Sequence, residues 1–134
     1  MSAALNLDTI RIFIHILAVA VWVGGQIVMM AIMPILKEAG IEGFPAKVAQ
    51  GFQNIAWPAL AVAIFSGIWN IISIDMANAT TAWNIIFGIK FLLVIISGVG
   101  AFRHAKTDDP KQKGLYGAIG FGAAILAMFL GYVI

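Results

Sequence analysis

The sequence has no cysteine, and Asp, Glu, Lys and Arg together make up only 10% of it. The first absence excludes disulfides, thiolate metal ligands and a thiol nucleophile. The second excludes an ordinary soluble domain, in which about 25% of residues are charged. There is no phosphate loop, no dinucleotide fingerprint, no pair of neighbouring carboxylates within the apolar runs and no Ser/His/Asp set. A self-contained hydrolase or kinase is therefore excluded. Whatever chemistry remains needs a bound metal or cofactor.

What the chain does hold is apolar surface: 62% of its 134 residues are hydrophobic. A soluble fold of this size cannot hide so much, so the solvent of this chain is lipid. That excludes a nucleic-acid binder and a secreted scaffold as well as a soluble enzyme. The sequence pI of about 9.2 reflects an excess of only two positive charges. It is read as membrane orientation, not as a nucleic-acid footprint.

Charge-free runs of about 18 residues or more mark transmembrane helices. Residues 12–36, 48–74 and 114–134 are three such runs, and 76–102 is a fourth broken only by Lys90. The expected fold is an all-α integral membrane protein, an antiparallel four-transmembrane-helix bundle in one domain. Its helices fall at about 9–36, 48–74, 82–103 and 114–134. Pro34 is expected to end the first, and Pro58 to kink the second by removing the backbone bond to Asn54. The first run is too long for the apolar part of a signal peptide, and no lipidation motif is seen. Small residues in the fourth run, with Ala118 and Gly122 as a small-xxx-small pair, suit close helix packing.

Six basic residues (Lys37, Lys47, Arg103, Lys106, Lys111 and Lys113) flank the first and third connections, against Arg11 alone on the other side. The first and third connections are therefore expected in the cytoplasm, with both termini outside. The expected location is a bacterial or archaeal plasma membrane. The expected partners are the lipid bilayer and either a second copy of the chain or a partner membrane subunit.

Polar residues inside hydrocarbon are costly, which makes them informative. At 100° per residue, His15, Trp22, Gln26, Met29 and Met33 share one face of the first helix. Trp83, Lys90, Ser97 and His104 share one face of the third. Counting depth at about 1.5 Å per residue places His15 and Lys90 in the same outer layer. Ser66, Trp69 and Asn70 lie in that layer on the second helix, and Met128 on the fourth. His15 is the candidate metal or haem ligand, with Lys90, Asn70, Trp22, Trp69 and Met128 as support. Imidazole is the commonest metal ligand and thioethers select soft ions, so Met29 and Met33 outline a soft-metal path. The bland readings are a histidine bonded to a neighbouring helix and methionines that fill the core.

Lys90 has no acid within the membrane runs; Asp8, Glu38, Glu42, Asp75, Asp108 and Asp109 all lie outside them. It snorkels towards Asp8 or Asp75, loses its charge, bonds carbonyls, or meets an anionic ligand such as a haem propionate or lipid headgroup.

The run His15-Ile-Leu-Ala-Val-Ala-Val-Trp22-Val-Gly24-Gly25, followed by Ala56-Trp57-Pro58, Ser66-Gly67, Gly88-Ile89-Lys90 and Arg103, resembles the copper resistance protein D family of bacterial membrane proteins. The likeness covers almost the whole chain. It implies copper uptake, export or homeostasis at the plasma membrane, with a role for His15 and for Lys90. The chain is a four-helix core without the additional helices, soluble copper domain or His- and Met-rich tail of the longer members. A more distant resemblance, to the membrane protoporphyrinogen oxidase family, implies haem b. Here Gly24-Gly25 replaces that family's small-residue signature, and no arginine follows Pro34. The two implications pull apart physically: a charged Lys90 near His15 repels Cu(I) and attracts a propionate. A third reading is a small structural subunit of a larger membrane complex, with no ligand of its own.

Overall fold

The computed structural model of the protein describes residues 5–73 and 78–133. They form four α-helices with no strand among the described residues: α1 (Leu7–Glu38), α2 (Phe44–Ile72), α3 (Thr81–Lys106) and α4 (Pro110–Val133). All four are long and apolar enough to cross a membrane. At about 1.5 Å per residue even the shortest, with 24 residues, spans about 36 Å, against about 30 Å of hydrocarbon. The expected bounds Ile74 and Ile134, like Asp75, lie outside the described residues.

The helix ends follow from local chemistry that hydropathy does not read. The Asn6 side chain accepts from Thr9 N at 2.9 Å and caps α1, and Thr80 caps α3 by accepting from Trp83 N at 3.0 Å. Asp109 Oδ1 accepts from Lys111 N at 3.1 Å where α4 begins on Pro110. α1 and α4 therefore start before their charge-free runs, at Leu7 and Pro110.

Pro34 does not end α1. The helix continues to Glu38 and stops at Ala39–Gly40, where Gly40 takes φ +72°. A proline costs a helix one internal hydrogen bond, whereas a left-handed residue turns the chain out of it. Gly43, at φ +76°, then starts α2 with Pro45 in its first turn. The third connection is also shorter than the sequence suggests. It comprises only Thr107–Asp109, because His104–Lys106 belong to α3 and Lys111–Lys113 to α4.

The helices group into two compact units, α1 with α2 and α3 with α4. In the first, Arg11 meets Asn70, His15 meets Ser66, and Trp22 meets Trp57 with ring centroids 5.4 Å apart. Partner numbers fall along α2 as they rise along α1. In the second, a Cβ on Gly100 would lie 2.8 Å from the Gly120 backbone. Likewise, a Cβ on Gly117 would meet the His104 ring, and one on Gly131 the Lys90 side chain. On α4 the contacts with α3 thus run through Gly117, Gly120 and Gly131, and Ala124 and Ala127 between them are buried. Ala118 is exposed, and a Cβ on Gly122 meets nothing within 4 Å.

Most buried residues are small, with Trp22, Val23 and Leu60 as larger exceptions, and many large apolar side chains lie outside. Ala18, Ala56, Ala63, Ala123, Ala124 and Ala127 are buried. Phe13, Ile16, Phe65, Ile85, Leu92 and Phe129 are exposed. In water this inversion would be ruinous, since each exposed side chain of that size forfeits roughly 1.5–3 kcal/mol of burial. Next to lipid it costs nothing.

Candidate functional site

The polar residues of the first unit form two rungs, one helical turn apart. Arg11 and His15 are separated by four residues on α1, and Ser66 and Asn70 by four on α2, so each pair shares a face. On the upper rung, Arg11 Nε donates to Asn70 Oδ1, and Arg11 Nη1 bonds Asp8 Oδ1 at 2.8 Å. The Arg11 side chain is only 11% exposed. Its guanidinium is therefore fixed, and its charge is answered by Asp8.

On the lower rung, His15 Nδ1 lies 2.9 Å from Ser66 Oγ. Ser66 is buried, and its Oγ–H donates to the Val62 carbonyl at 2.7 Å, with the Ala63 carbonyl at 3.2 Å. Gly67 lies beside the imidazole: a Cβ there would stand 3.3 Å from His15 Cε1. The absence of a side chain at 67 lets the ring lie against α2.

The face read from the sequence of α1 is the one turned inward. Trp22 is buried, and His15, Gln26, Met29 and Met33 are half-buried, while Met30 is 60% exposed. Gln26 turns back to donate to the Trp22 carbonyl at 3.0 Å. Met29 and Met33 lie about 21 and 27 Å beyond His15 along the helix at about 1.5 Å per residue. They are too far away to share one ion with it. Trp69 is 38% exposed, and Asn70 is engaged by Arg11.

In the second unit, Ser97 is almost completely buried, and Trp83, Lys90 and His104 on the same face are half-buried. The Lys90 side chain lies over Gly131, where a Cβ would stand 3.0 Å from Nζ. Met128 is 50% exposed. Asp75, one of the two acids towards which Lys90 was expected to snorkel, lies outside the described residues; the other, Asp8, is paired with Arg11.

The sequence alone marks Arg11 only as a topology charge. Its position one turn before His15, matched by Ser66 and Asn70 one turn apart, is the signal that ties it to the site. Among the described residues, no three His, Asp or Glu side chains come together as a metal cage. The donor chemistry fits a metal held by one oriented imidazole, as for a soft ion with few ligands or a porphyrin iron. No protein-family model, curated protein or solved structure matches the chain.

Proposed function

We propose that the chain is a multi-pass plasma-membrane protein, four antiparallel spanning helices in one bundle with both termini outside, and that it handles copper through His15. The observation that carries this reading is the imidazole held by Ser66 on an inward face of otherwise apolar helices. An imidazole in hydrocarbon is costly; the bond to Ser66 offsets part of that cost and holds the ring in one orientation, as the outer-shell partner of a ligating histidine does. Copper is the cargo. Met29 and Met33, half-buried further along the same face, supply separate thioether stations on the route between the two membrane surfaces.

A second reading is haem b. It is favoured by the lone imidazole, since a porphyrin iron already carries four nitrogens and asks the protein for only one or two ligands. His15 would ligate the iron and Lys90 would answer a propionate, and bound haem would supply electron-transfer chemistry.

The deciding experiment measures metal content and the optical spectrum of purified wild type and His15→Ala in detergent. Stoichiometric copper without a Soret band, lost in His15→Ala, supports copper handling. A Soret band lost in the mutant transfers the site to haem. If neither ligand is found, the chain is a structural subunit and both readings fall.

A further inference from the structure

We infer that Ser66 is a positioning residue that fixes the tautomer of His15, so that Nε2 is the nitrogen that meets a metal. Ser66 Oγ and the Val62 carbonyl oxygen are 2.7 Å apart. Two oxygens that close share a proton, and the carbonyl has none to give. The single hydroxyl proton of Ser66 is therefore committed to its own helix. Towards His15, Oγ can only accept.

His15 Nδ1, 2.9 Å away, must then donate and carry a proton. A neutral imidazole has one such proton, so the lone pair resides on Nε2. The carbonyl of Val62, through Ser66, thus sets the chemistry of a ring on the neighbouring helix. Ser66 is 4% exposed, so water does not compete for Oγ. Gly67 leaves the ring room to lie close enough for the bond.

The consequence for metal binding rests on the reading of His15 as a ligand; the tautomer does not. The test is therefore spectroscopic first. Histidine labelled with nitrogen-15 is incorporated, and long-range proton–nitrogen correlations are recorded in micelles at a pH of about 8. His15→Ala identifies which of the two rings is His15. Wild type should show His15 protonated at Nδ1 alone. Ser66→Ala should shift it towards the Nε2–H form or a mixture, and Ser66→Thr, which keeps the hydroxyl, should restore Nδ1–H.

Wild-type His15 protonated at Nε2, or at both nitrogens, overturns the inference without any mutant having to fold. So does an unchanged tautomer in Ser66→Ala. In protein that binds Cu(I), Ser66→Ala should weaken binding by about 10–100-fold, the usual effect of removing a group that orients a ligating histidine. Wild type that binds no copper defeats the metal reading and leaves the tautomer to be judged by the spectra.

Discussion

His104 Nδ1 donates to the backbone carbonyl of Lys113 at 2.7 Å, and the Lys113 ammonium donates back to the carbonyl of His104 at 2.8 Å. The two residues clamp the end of α3 to the start of α4 across the short turn Thr107–Asp109. The lysine satisfies a carbonyl in the last turn of α3, where helices leave carbonyls without partners and favour a positive charge. Lys113→Met should therefore destabilise the protein by about 1.5–3 kcal/mol, the range for hydrogen bonds to charged groups. Lys111→Met, two residues away on an exposed position, should stay within about 0.5 kcal/mol. Denaturant unfolding in mixed micelles measures both, and equal effects would remove the clamp from the account.

Gly100 and Gly120 make a second prediction. A Cβ at Gly100 would stand 2.8 Å from Gly120 Cα and 3.0 Å from the Tyr116 carbonyl, all of it backbone that cannot rotate away. Gly100→Ala should cost about 1–3 kcal/mol by forcing α3 off α4. Gly88→Ala, on the same helix with nothing within 4 Å, should be neutral or stabilising by up to about 1 kcal/mol, because alanine is the better helix former. The same unfolding measurement separates them, and a neutral Gly100→Ala would show that the two helices do not approach this closely.

The helices were legible in the sequence because charge-free runs of their length have few other uses, and the inward faces because they carry the polar residues. The stops were not. Pro34 looks like a stronger terminator than Gly40, but a proline removes one bond whereas a left-handed glycine redirects the chain. The cap at Asn6 starts α1 before its charge-free run, and the cap at Thr80 starts α3 inside its own, which hydropathy does not sense. At the candidate site, a depth count placed Ser66 and Asn70 level with His15. It does not show that Ser66 takes the imidazole while Asn70 takes Arg11, because the two share a face and differ only by one turn of axial register, finer than a depth count resolves. The contact between α3 and α4 runs through Gly120, and Ala118 with Gly122 lie off it, which turns on a rotation about the α4 axis that composition does not give.

Orientation gives a third prediction. Six basic residues flank the first and third connections and one lies on the other side, so the first and third connections should be cytoplasmic. The natural chain has no cysteine, so single introduced cysteines can be labelled without background. Gln112→Cys should resist an impermeant thiol reagent added to intact cells and react after lysis. Asn6→Cys should react in intact cells. Labelling of position 112 from outside would invert the proposed topology.

Lys90 separates the two metal readings. Its side chain lies along Gly131 within an apolar stretch of α3, and the sequence offers no acid inside the membrane runs to neutralise it. If the ligand is anionic, as a haem propionate is, Lys90→Met removes a charge-assisted contact worth roughly 1.5–3 kcal/mol. Haem affinity should then fall by roughly tenfold to a hundredfold. If the ligand is Cu(I), the same substitution removes a repelling charge and adds a thioether, so affinity should hold or rise. Wild type and Lys90→Met are titrated with haem and with Cu(I) in the same detergent. A mutant that binds haem as tightly as wild type defeats the anion argument. A mutant that loses Cu(I) defeats the repulsion argument and makes a neutral Lys90 a ligand in its own right. If neither affinity moves, Lys90 only carries its charge to the membrane surface, and the site reduces to His15 with Ser66 behind it.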